Sequence, residues 1–149
     1  MQMIKYGIKR SKIRYILISH LHGDHYFGLI GLINSFGLLG RTDPLHIYCP
    51  ELLPAIIQAQ LDASSAHLPY ELHFHTISDA GARTILVDNN VFKISCFPVE
   101  HRIATHGFVI TEKAKARKLD IEACRNTRYH SISISDYRPE MITSRKTVL

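Results

Sequence analysis

The sequence has little cysteine: three residues, Cys49, Cys96 and Cys124, in a chain of 149. Odd in number, widely spaced and without a CxxC pair, they exclude a disulfide framework and a cysteine zinc module, and they fit a reducing, cytoplasmic setting. Long apolar runs are missing too. The longest, Phe27 to Leu39, is interrupted by Gly28, Gly31, Asn34 and Gly37, well short of the roughly 18–20 residues of a membrane helix. The opening segment, Met1 to Arg14, is cationic with no hydrophobic stretch and cleavage site behind it, so no secretory leader is expected. There are no internal repeats and no low-complexity linkers. A content of 46% hydrophobic and 21% charged residues excludes disordered and fibrous classes and is enough for one domain with its own core.

What is abundant is histidine, ten residues, and charge placed in blocks. Residues 1–14 carry Lys5, Lys9, Arg10, Lys12 and Arg14 and no acid, giving +5. Residues 15–112 hold four basic and nine acidic side chains, giving −5, and residues 113–149 hold nine basic and four acidic, giving +5 again. Two cationic ends thus flank an acidic, histidine-rich middle, a distribution suited to a polyanionic partner.

Periodicity predicts a mixed, β-rich α/β fold. Residues 1–10 look like the end of a helix, and Ile13–Ser19 is a short, nearly continuous apolar run of the buried-strand kind. Helical spacing from Tyr26 to Leu39 ends at Gly40. Leu45–Tyr48 reads as a strand stopped by Pro50, and Glu51–Ala66 as an amphipathic helix with Pro54 in its first turn. Strands follow at Glu71–Ile77, Arg83–Val87, Val91–Phe97 and Gly107–Thr111, with Asp88-Asn89-Asn90 as a hairpin turn between two of them. Glu112–Arg125 reads as a charged helix and Ser131–Ser135 as an edge strand.

The chemistry concentrates directly after the first strand, at His20-Leu21-His22-Gly23-Asp24-His25. Alternation along a strand sends His20 and His22 the same way. Gly23 lets the backbone turn, which swings Asp24 and His25 to a neighbouring position. Imidazole and carboxylate at that density suit zinc. Of the other histidines, His106 reads as a loop residue. His46, His67, His73, His75 and His130 have no ligand spacing, and the i,i+2 pair His73 and His75 reads as exposed strand polarity. The cysteines, among apolar neighbours, read as packing residues.

The HxHxDH element resembles the hallmark of the metallo-β-lactamase superfamily, and the longer stretch Ser19–Ile33 (SHLHGDHYFGLIGLI) closely resembles the ribonuclease Z family, endonucleases that mature transfer RNA 3′ ends. A second block agrees: Phe97-Pro98-Val99-Glu100-His101-Arg102 followed by Thr105-His106-Gly107-Phe108-Val109-Ile110. The resemblance implies an αββα sandwich, of which this chain is the central portion, and two zinc ions per complete chain. His20, His22 and His101 would hold the first, and Asp24 and His25 the second. Asp24 would also accept the proton of the attacking water. Ser131–Asp136 resembles the strand that ends in the metal-bridging aspartate, which makes Asp136 a further ligand, although Tyr137 replaces the usual Thr.

The resemblance also implies precursor transfer RNA as substrate, a homodimer, and an RNA-gripping arm. Residues 113–130, with Lys113, Lys115, Arg117 and Lys118, occupy the arm's place in a single partial domain spanning 1–149. The family's opening strands would precede Met1, and its His-Glu-Ala-Thr-Phe block with the catalytic histidine would follow Leu149. The segment alone is therefore expected to be inactive. Another hydrolase of the same fold, an arylsulfatase or a small-molecule phosphodiesterase, and a non-catalytic fragment stay open as alternatives.

Overall fold

The computed structural model describes residues 2–78, 81 and 83–114. The elements run α1 (Gln2–Lys5), β1 (Tyr15–Leu17), α2 (Gly23–Tyr26), α3 (Leu29–Leu38), β2 (Leu45–Cys49), α4 (Leu53–Ala63), β3 (Leu72–Thr76), β4 (Thr84–Asp88), β5 (Phe92–Val99) and β6 (Thr105–Glu112). The first three of these strands form a parallel sheet in the order β1-β2-β3, and the last three an antiparallel sheet in the order β4-β5-β6.

The parallel sheet is covered on one face by α3 and α4. Leu29, Ile33 and Phe36 on α3, and Leu53, Ile57 and Leu61 on α4, recur at three- and four-residue spacing, so each helix buries one stripe. Against them β2 sends every second residue: Leu45, Ile47 and Cys49 are fully buried. Both helices stop in the same way. Gly40 (φ 78°) follows α3, and Arg41 N–H returns to Phe36 O at 3.0 Å. Ser65 (φ 49°) follows α4, and Ala66 N–H returns to Leu61 O at 3.0 Å. Each left-handed residue lets the chain satisfy a terminal carbonyl as it leaves the helix.

The other face of the parallel sheet carries rings. Tyr15, His46 and His73 are register partners across three strands, and so are Leu17, Tyr48 and His75. This face meets the antiparallel sheet: Tyr48 Oη donates to Leu86 O at 3.1 Å, and Tyr15 stands edge-on to Phe92 with centroids 5.9 Å apart. One helix layer and two sheets are three of the four layers of a metallo-β-lactamase sandwich.

The hairpin between β4 and β5 turns where the sequence predicts it, with Asn89 Oδ1 accepting from Val91 N–H at 2.8 Å and Phe92 N–H at 3.0 Å. Some readings change. The helical stretch expected from Tyr26 forms α3, which starts at Leu29, and a separate four-residue helix, α2, precedes it over Gly23–Tyr26. His106 lies in β6, buried, rather than in a loop. His73 and His75 are half-buried and stacked, because their sheet face is turned towards the second sheet. Their rings lie 4.9 and 5.3 Å from that of His46, and His75 is 4.5 Å from Tyr48. Cys49 and Cys96 are buried free thiols, as packing residues should be, and burial pushes the Cys49 thiol up to about 11. Glu112, expected to open the charged helix, instead ends β6; the rest of that expected helix from residue 115, Cys124, His130 and the Ser131–Ser135 strand lie outside the described residues.

Candidate metal centre

The histidine cluster forms where the C-terminal end of β1 meets the β5–β6 connection. Ile18 N–H donates to Tyr48 O at 2.9 Å and extends the β1 ladder by one residue. Ser19 O then accepts from His106 N–H at 3.0 Å, which joins this end of the parallel sheet to β6. His20 follows, buried, with its ring facing the loop that carries His101.

His22 is the extended residue that caps α2. The short helix then turns Asp24 and His25 back beside the first two rings, with His25 N–H donating to His22 O at 3.0 Å. Gly23 does not use a positive φ here. Its value is room: a Cβ would stand 2.1 Å from the ring of Phe27.

Three ring nitrogens converge. His22 Nδ1 stands 3.0 Å from His20 Nε2 and 3.3 Å from His101 Nε2. Two nitrogens bound tetrahedrally at about 2.0–2.1 Å from zinc lie about 3.3 Å apart, so the cluster has the dimensions of a three-histidine facial site. Among the described residues no other group of three or more metal-type donors draws all its donor atoms within 4.8 Å. Asp24 and His25 are next to it. His25 Nε2 is 3.4 Å from Asp24 Oδ2, and the His25 ring centroid is 4.0 Å from that of His20.

A neutral imidazole is the form that binds a metal, and the surroundings of His20 favour it. Burial holds His20 below the usual histidine range, helped by the neighbouring His25, His22 and His101 and opposed by a weaker pull from Asp24. His20 therefore offers a cation a lone pair more readily than an ordinary histidine would.

The structure thus brings His20, His22 and His101 together from two segments of the chain, with His22 and His101 79 residues apart, and with Asp24 and His25 alongside. Lys113 is at the end of β6, and its ammonium pairs with Asp88 on β4, the carboxyl of which this contact holds below its usual range. Lys115, Arg117, Lys118 and Asp136 lie outside the described residues. The sequence reading gave no part to Ser19. Its hydroxyl lies 2.9 Å from His20 Nδ1 and 3.5 Å from His25 Nδ1, and a hydroxyl immediately before a ligand histidine at a strand end is the signal that could have found it.

Residues 5–119 match the family model described as a β-lactamase superfamily domain. The chain belongs to that superfamily. Within the β-lactamase superfamily it is 43% identical over 113 residues to a protein of Phocaeicola vulgatus named ribonuclease Z, covering 76% of this chain and 36% of that protein. It is 37% identical over 128 residues to the ribonuclease Z of Prochlorococcus marinus, covering 85% of this chain and 41% of that one. The chain therefore spans about two-fifths or less of the length of these relatives. Among solved structures, human tRNase Z, short form, superposes with a TM-score of 0.66 at 29% identity, over 74% of this chain and 49% of the human one. The metallo-β-lactamase fold protein YhfI of Bacillus subtilis, at 17% identity and a TM-score of 0.50 over 74% of this chain and 41% of its own, shares the fold.

Proposed function

We propose that this chain carries the metal-binding core of a zinc-dependent endoribonuclease that removes the 3′ trailer of precursor transfer RNA and leaves a 3′ hydroxyl. The observation that carries the reading is the convergence of His20 Nε2, His22 Nδ1 and His101 Nε2, with Asp24 and His25 beside them, in a chain similar to proteins named ribonuclease Z. His20, His22 and His101 would hold one zinc, and Asp24, His25 and Asp136 the second. Zinc bound there supplies Lewis-acid polarisation of the scissile phosphate and acidification of water.

The chain's own residues do the rest. Asp24, with its side chain 80% exposed, presents carboxylate oxygens that can accept and orient a water proton. Cations beyond β6, at Lys115, Arg117 and Lys118, would meet the RNA backbone as the remnant of an arm over residues 113–130, with Lys113 anchoring its start through Asp88. Contacts of that kind set affinity and register without reading sequence. The complete protein would work in the cytoplasm as a homodimer, and residues 1–149 alone would not cleave.

The test is cleavage of precursor transfer RNA by the complete protein beside a chromogenic phosphodiester, with zinc supplied or chelated. Trailer release that requires metal is the expected result. Hydrolysis of the small ester with no cleavage of RNA would instead make the protein a phosphodiesterase of the same fold.

A further inference from the structure

An imidazole has two nitrogens, and in the neutral ring the proton may sit on either, so a ligand histidine needs a partner that holds the proton on the other atom. His20 is buried, with 6% of its surface exposed, and cannot rely on bulk water for that partner.

Ser19 Oγ lies 2.9 Å from Nδ1 of His20, and the same oxygen stands 3.5 Å from Nδ1 of His25. We infer that Ser19 is a positioning residue for both metals: its hydroxyl oxygen accepts from Nδ1–H of His20 and of His25 and so turns both Nε2 atoms outward. This rests on the metal reading of the site.

The geometry supports the assignment from both ends. His20 Nε2 is the atom that approaches His22 Nδ1 at 3.0 Å, and His25 Nε2 is the atom beside Asp24 Oδ2 at 3.4 Å. Once Nδ1 of each ring carries the proton, both Nε2 atoms have lone pairs for a metal placed between them and these neighbours. A hydroxyl oxygen has two lone pairs, enough for two donors.

Ser19 is also held in place for the task. Its carbonyl accepts from His106 N–H at 3.0 Å, and Ile18 just before it is bonded to Tyr48 O at 2.9 Å. The oxygen therefore sits on fixed backbone between the two sheets. Both main-chain bonds persist whatever the side chain at 19, so a substitution there changes the hydroxyl and leaves the scaffold.

The experiment compares the parent chain with Ser19→Ala and with the isosteric pair Ser19→Thr and Ser19→Val, which differ only in whether the oxygen is present. Nitrogen NMR of the metal-free proteins reads the tautomer of His20. Titration against a chromophoric chelator reads zinc affinity, and thermal melting reads folding. Expected are an Nδ1-protonated His20 in the parent and Ser19→Thr, and a mixed or Nε2-protonated ring in Ser19→Ala and Ser19→Val. Zinc binding should be about 10–100-fold weaker in the latter two, as for removal of other outer partners of ligand histidines, at unchanged metal-free melting temperature. If the parent binds zinc and Ser19→Ala or Ser19→Val matches it within about two-fold, the inference is overturned and the metal reading stands. A parent that binds no zinc overturns both. Should Ser19→Ala fold poorly, the Thr/Val comparison decides alone.

Discussion

Removing His22 tests the metal centre most sharply, because its Nδ1 is the atom the other two rings share. His20 Nε2 lies 3.0 Å from it and His101 Nε2 3.3 Å. Without it a metal keeps two histidines on opposite sides of a gap. A four-ligand structural zinc site is worth about 10–16 kcal/mol in apparent binding free energy at neutral pH, or about 3–4 kcal/mol per ligand if shared evenly. Loss of one ligand then weakens binding by two to three orders of magnitude, at about 1.4 kcal/mol per tenfold. His22→Ala should show that drop in a chelator competition titration and lose about one equivalent of zinc by elemental analysis. His22 only caps a four-residue helix, so the metal-free melting temperature should move little. Zinc affinity within threefold of the parent would refute the three-nitrogen site, however well the protein folds.

Other outcomes follow from the same geometry. Asp24→Ala in the complete protein should cut turnover by about 10²–10⁴ without unfolding it, since Asp24 is exposed and pairs with the half-exposed His25; near-parental turnover would remove Asp24 from proton transfer. Replacing Lys115, Arg117 and Lys118 with Ala should weaken precursor RNA binding and flatten its dependence on log salt by about 2–3 units, at up to about 0.9 per phosphate contact. The small phosphodiester should be hydrolysed as before, and an unchanged salt slope would end the arm reading. Gly107→Val should cost about 1–3 kcal/mol in urea unfolding, because Gly107 pairs with Phe97 and an added Cβ would lie 2.4 Å from its ring. His46 is held below its ordinary value of 6.5 by burial and by His73 and His75. The unfolded chain therefore binds a proton more readily than the folded one, and stability should fall as pH drops through and below 6.5. His46→Gln should flatten that loss, as read by urea midpoints between pH 7.5 and 5.5.

The regular elements were legible because their periodicities differ. The three-and-four spacing of Leu29, Ile33 and Phe36, the alternation of Leu45, Ile47 and Cys49, and the polar turn at Asn89 each follow from one local rule, and each lies where the sequence puts it. The short helix α2 was less legible, because it starts at Gly23, in a segment whose pattern speaks of metal ligands. What local pattern did not carry was which sheet face would be covered. His73 and His75 look like strand polarity until the second sheet is in place, where His46 and Tyr48 stack against them.

His106 shows the same limit at the site itself. A polar residue before a glycine reads as loop, yet it belongs to β6, paired across the sheet with Pro98. Its N–H is spent on Ser19 O rather than on β5, and a proline, having no N–H to give, is tolerated opposite such a position. That one main-chain bond ties the end of β1 to the edge of β6. It thereby sets His20 and His22, from one sheet, against His101, from the connection between two strands of the other. The donor atoms were legible as residue types at fixed spacing. Their convergence depends on a backbone contact between sheets that no side-chain pattern encodes, which is why the ligands could be named from the sequence and the distances between them could not.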